Sequence, residues 1–167
     1  ARPAAAAADA AYPKNDVRRS VSRIYLGNIL LDTRDFEGAR VALDEALALR
    51  EQALGSDSVE VAAVLMAIGK MHEARRELSE AHAAWSRAAA IQEKALGPED
   101  AQLAGALANL ARLAFLENDW ATAKSLMERS LAIREKQLGP DHPDTARTKA
   151  NFCNILIELG DYGRAER

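Results

Sequence analysis

The sequence predicts an all-α fold, a right-handed solenoid of antiparallel helix hairpins, and three observations carry that expectation. The stretch Ser130-Leu-Ala-Ile-Arg-Glu-Lys-Gln-Leu-Gly-Pro-Asp-His-Pro-Asp-Thr-Ala146 has earlier copies over 88–104 and 46–62, and its Leu-Gly pair falls at 54/55, 96/97 and 138/139. A constant spacing of this length, 42 residues, marks a stacked repeat. Small residues recur on the same period: Gly27, Gly69, Ala111 and Cys153 form one set, and Ala39, Ala81, Ala123 and Ala165 another. Gly inside a helix costs roughly 0.5–1 kcal/mol relative to Ala. A position that uses it twice therefore signals close approach of a second helix, with Leu43, Trp85 and Met127 facing it. Finally, 49% of the 167 residues are apolar but only 5% aromatic, so the core is built from Ala and Leu, which suits closely packed helices.

Taken in order, residues 1–15 have the helix propensity of Ala but almost no bulky apolar side chain. They read either as a flexible Ala/Pro leader or as a degenerate final helix of a preceding unit, and the register of Tyr12 with Leu54 favours the second. Three full units follow over 16–57, 58–99 and 100–141, then a partial fourth over 142–167. Each opens with a helix, expected over Asp16–Thr33, Ser58–Arg75, Asp100–Glu117 and His142–Leu159. Asp16, Ser58 and Asp100 supply capping oxygens for the free amides of the first turn, and His142-Pro143 supplies a first-turn residue that needs no donor. The second helices start at Phe36, Leu78, Trp120 and Tyr162 and end at Leu54, Leu96 and Leu138. There Gly55, Gly97 and Gly139 allow a left-handed residue, and Pro98 and Pro140 forbid continuation. Gly160 to Arg167 opens a further second helix that is cut short, so the expectation is a segment of a longer array or an end covered by a partner.

Small residues at 27 and 39, bulky ones at 26 and 43, and an aromatic or Leu just after the interhelix turn resemble the tetratricopeptide repeat. The 42-residue length, with the connector Leu138-Gly-Pro-Asp-His-Pro-Asp144, resembles the kinesin light chain-like type. The likeness covers 16–167. Departures are Arg34 and Arg76 where Gly160 stands later, His72 at an aromatic position, and Ser56 in place of the connector Pro. HEAT or armadillo units have similar length, but the Gly/Ala spacing disfavours them.

The formal charge of −3 lacks the basic excess that attraction to phosphates requires, so no nucleic-acid partner is expected. The single Cys153 cannot pair internally and is expected as a buried filler. No run of about 18 apolar residues is present and no membrane partner is expected. His72 and His82 have no further ligand at metal spacing, and phosphate loops and the Gly-x-Ser-x-Gly elbow are absent. No enzyme, cofactor or metal is expected.

The resemblance implies that the first helix of each unit lines a concave groove. Equivalent inward positions hold Tyr25, Ala67, Asn109 and Asn151, and Asn28, Lys70, Arg112 and Asn154, with Arg147 one turn before Asn151. Cations flanked by amides suit an extended, acidic peptide. The implied role is a noncatalytic cytoplasmic adaptor for cargo or complex assembly. The alternative is a structural or regulatory segment packed against other domains or subunits, as in an axonemal or bacterial multidomain assembly. Arg50-Glu51-Gln52, Gln92-Glu93-Lys94 and Arg134-Glu135-Lys136 recur on the second helices, where they are expected to share an outer face.

Overall fold

The computed structural model describes residues 2–161 and Gly163. The described residues form α1 (Arg2–Ala11), α2 (Arg19–Asp32), α3 (Phe36–Leu54), α4 (Val59–Ala74), α5 (Leu78–Leu96), α6 (Ala101–Leu116), α7 (Trp120–Leu138) and α8 (Pro143–Glu158), with no strand among them. Contacts divide the chain into two compact units, Ala1–Ile91 and Gln92–Arg167, and the boundary falls within α5. In the first unit α2 pairs with α3, α4 packs against both, and α1 lies against α2; in the second, α6 pairs with α7 and α8 packs against both.

The helix limits follow local chemistry. α3, α5 and α7 run between the aromatic or Leu starts and the Leu-Gly ends that the sequence sets. Gly55, Gly97 and Gly139 take φ of 86°, 94° and 88°, where a β-carbon would be strained. Ser58 Oγ accepts from the Val61 amide at 3.3 Å, Asp100 Oδ1 from Gln102 at 2.8 Å, and His142 Nδ1 from Asp144 at 3.1 Å. Two caps escaped the sequence reading: Asp35 and Asp119 accept from the amides of Gly38 and Thr122 at the starts of α3 and α7.

Asp16 does not cap α2, which begins at Arg19 instead. Its carboxylate accepts from the Arg18 amide at 2.9 Å and from the Arg18 guanidinium, closing a turn ahead of the helix, and these contacts hold its pKa at about 2. The expected second-helix start at Tyr162 and the small residue Ala165 lie outside the described residues.

The interhelix turn is left-handed in every unit: Arg34, Arg76, Asn118 and Gly160 have φ of 61°, 65°, 62° and 73°. Gly160 and, to a lesser degree, Asn118 are residues that such a backbone tolerates well, whereas Arg34 and Arg76 are not. For an Arg this conformation costs about 1–2 kcal/mol, so at Arg34 and Arg76 helix packing imposes the turn where local preference opposes it.

Small against large organises each hairpin. A β-carbon added at Gly69 would fall 2.5 Å from Trp85 Cδ1, and one at Gly27 would fall 2.7 Å from Leu43 Cγ. Trp85 is fully buried and donates its indole N–H to the Met66 carbonyl at 3.1 Å, which fixes the ring. Ala111 and Met127, both buried, occupy the equivalent positions in the second unit. Cys153, at the same position in α8, is only half-buried.

The expected outer face on the second helices is corrected. Arg134 is 7% exposed and Gln92 3% exposed, and Arg50 is half-buried. Arg134 donates to the Asp144 carbonyl at 2.9 Å and to Thr148 Oγ1, while Arg50 donates to the equivalent Glu60 carbonyl and to Ser20 Oγ. The long side chain crosses from a second helix to the main chain of the next first helix, which amphipathic spacing alone does not reveal. The neighbouring carboxylates do remain on the surface, where Glu51 pairs with Arg87 and Glu93 with Arg129 at the same 42-residue interval.

Two outcomes follow from this packing. Gly69→Ala should gain helix propensity of about 1 kcal/mol but overpack the fixed indole at a cost of about 1–3 kcal/mol, for a net loss of stability. In a Trp85→Met background the same change should become stabilising, because Ala111 and Met127 already show that pair; equal effects in both backgrounds, measured by urea unfolding, would contradict the close-approach argument. Arg134→Ala should lower stability by about 2–3 kcal/mol, the scale of charge-assisted bonds to buried acceptors. Arg134→Gln, which copies Gln92, should cost less in the same assay.

Candidate functional site

Helices α6, α7 and α8 enclose a cleft of about 220 Å³ in the second unit. Arg112 and Phe115 lie one turn apart on α6, and Asn151, Asn154 and Ile155 share one face of α8, so helical spacing alone brings polar and apolar groups to the same mouth. Met127 of α7 and Ile155, each 1% exposed, form the floor, and Leu116 stands 43% exposed at the rim. The Phe115 ring is steadied edge-on by Trp120, with centroids 5.0 Å apart at 66°.

The electrostatics of this cleft differ from those of an open surface. Burial pulls the Arg112 guanidinium below its usual range, so it sits in a medium where an anion interacts with it more strongly than in water. Asn151 is half-buried and Asn154 exposed, and each amide can donate and accept. A planar cation and two amides over an apolar floor can hold a carboxylate or a peptide backbone beside a buried side chain. Among the described residues no three His, Cys, Asp or Glu side chains are grouped to hold a metal ion, and no helix is long and apolar enough to cross a membrane.

Of the eight residues singled out from the sequence, Arg112, Asn151 and Asn154 meet in this cleft. Asn109, one turn before Arg112, is half-buried and outside its lining. Arg147 is exposed and donates to its own neighbour Asp144 at 2.7 Å, which makes it a surface pair on α8. Tyr25, Asn28 and Lys70 belong to the first unit, with Tyr25 66% exposed, Lys70 exposed and Asn28 half-buried. Sequence reasoning missed Phe115, Leu116 and Ile155 as cleft residues and assigned Met127 to packing alone. Phe115 and Leu116 replace Glu73 and Ala74 of the unit before, so the available signal was a break in the period.

Residues 20–94 and 102–167 match the tetratricopeptide repeat family. BtubC (BKLC) from P. vanneervenii superposes with a TM-score of 0.81 at 22% identity, over 90% of this chain and 61% of that one. The nearly identical, kinesin-light-chain-type TPR-like repeats from Podosopora anserina, and a singly substituted variant of them, each superpose with a TM-score of 0.79 at 21% identity. They cover 89% of this chain and 71% and 70% of those chains. The chain thus spans about three fifths of the length of BtubC. No curated protein matches it. With two family matches across most of its length, the chain belongs to the tetratricopeptide repeat family, and it shares the helix-hairpin fold of those structures.

Proposed function

We propose that the chain is a noncatalytic protein-interaction scaffold that holds an extended, acidic segment of a partner along the first helices of its repeats. The units are those of 16–57, 58–99, 100–141 and 142–167, and the setting is a cytoplasmic, cytoskeleton-associated complex or cargo assembly. The observation that carries this reading is the convergence of Arg112, Asn151 and Asn154 on an apolar cleft. Its volume of about 220 Å³ falls below the roughly 300–1,000 Å³ of small-molecule sites, and it suits one anchoring side chain. Tyr25, Asn28 and Lys70 are the groove residues that the proposal assigns to the first unit, and Asn109 and Arg147 lend polarity beside the cleft of the second.

A second reading, a structural segment packed against another domain or subunit, draws on α2. Val21, Tyr25 and Ile29, spaced by one turn, are 52%, 66% and 43% exposed, whereas Met71, Leu113 and Ile155, the equivalents of Ile29, are 1%, 0% and 1% exposed. An apolar stripe of this kind suits a packed neighbour.

Affinity for a library of acidic peptides separates the two. Under the scaffold reading, peptides combining Asp or Glu with one large apolar residue bind. Arg112→Gln then weakens binding by about tenfold, near 1.4 kcal/mol, Lys70→Glu weakens it further, added salt reduces it, and helical content stays constant. Affinity that is indifferent to both substitutions would remove the electrostatic basis of the proposal, and loss of partner binding on Val21→Ser with Ile29→Ser, which leaves the groove residue Tyr25 in place, would favour the packed segment.

A further inference from the structure

The surface ion pairs Glu51–Arg87 and Glu93–Arg129 recur at the repeat interval, and one interval earlier the same positions hold Asp9 and Glu45. Two carboxylates stand where each later rung joins an acid to a base. They are held from below by Arg23, whose guanidinium donates to Asp9 at 2.6 Å and also to Glu45, and Arg19 adds a second contact to Asp9. Arg23 is itself a departure, because Leu65 and Leu107 occupy its place in the following units.

Beside this rung α1, α2 and α3 leave an open groove of about 580 Å³. Leu26, Leu30 and Val41 give it an apolar lining, and Val41 is 52% exposed. Ala6 of α1 is too short to fill it. The rim carries Asp9, Glu37 and Glu45, whose side chains are 41%, 66% and 51% exposed, whereas Arg23 and Arg19 lie 9% and 11% exposed beneath them. Glu37 is further paired with Arg75 and Arg40, and the groove lining holds the carboxylates of Asp9, Asp35, Glu37 and Glu45 with the guanidinium of Arg23, so an approaching chain meets an excess of negative charge beside apolar side chains.

We propose that this groove docks a partner polypeptide in which a Leu, Met or Phe side chain is flanked by Lys or Arg. The apolar side chain covers Val41, and the basic residue pairs with the water-facing sides of Asp9 and Glu45, whose inner sides Arg23 and Arg19 hold. The segment is opposite in charge to the one assigned to the cleft of the second unit, and the two proposals stand on different residues.

The probe is a short labelled peptide of Leu and Lys arranged as an amphipathic helix, compared with its Leu and Glu counterpart by fluorescence anisotropy on the full chain. The basic peptide binds and the acidic one binds at least tenfold more weakly. Val41→Arg, a change at an exposed helical site, weakens the basic peptide at least tenfold, as does Glu45→Gln; circular dichroism reports whether either change disturbs the helices, and Val41→Arg decides if Glu45→Gln does. Lys70→Glu and Arg112→Gln leave this binding unchanged even if they abolish acidic-peptide binding. Equal binding of both peptides, or full affinity for Val41→Arg with its helices intact, would overturn the proposal.

Discussion

The contact on which each hairpin depends is the approach of one helix to another at a position too narrow for a side chain. At Gly69 the Trp85 indole occupies the space a methyl would need, and its N–H is anchored on the Met66 carbonyl, so neither partner can shift alone. Gly27 with Leu43 and Ala111 with Met127 solve the same problem with other volumes. Interiors are packed near crystal density, so in each pair the larger side chain fills the space that the smaller residue leaves. Once that distance is set, the remaining positions of a hairpin fall into place: the caps at Ser58, Asp100 and His142, the closing glycines, and the faces left to solvent.

This constraint explains what could be read from residues alone. The positions of Gly27, Gly69, Trp85 and Met127 announced the hairpin because packing repeats with the period, and the ends of α3, α5 and α7 followed from Gly and Pro chemistry. The start of α2 did not, since whether Asp16 caps a helix or closes a turn depends on Arg18, a competition between two local uses of one carboxylate. Arg50 and Arg134 were misread because a long side chain can begin at a polar stripe and end on buried backbone. In the candidate site, Arg112, Asn151 and Asn154 were legible as equivalent positions, whereas Phe115 and Leu116 were invisible to a reading that looks for sameness between units.

Repetition fixes the frame and exceptions to it give each unit its own surface. The first unit departs at Asp9, Arg23 and Glu45, where a lone acid–base rung becomes an acid–base–acid group around a buried guanidinium. Burying a guanidinium is unfavourable unless its donors are satisfied, and two carboxylates with a supporting hydrogen bond from Arg19 to one of them meet that condition. The second unit departs at Phe115 and Leu116, which turn a polar helix end into the wall of a cleft. Hairpins of one architecture thereby present an acidic apolar groove in one unit and a cationic apolar cleft in the other.

The joint made by Arg50 and Arg134 grips a main-chain oxygen, that of Glu60 in one case and Asp144 in the other. Every amino acid offers that oxygen, so the identity of the residue being gripped is irrelevant to the grip. Glu60, Gln102 and Asp144 occupy this place in successive copies. Such a fastening uncouples mechanical continuity from outward chemistry: mutation is free to rewrite what the first turn of a helix shows to its surroundings while the array holds together.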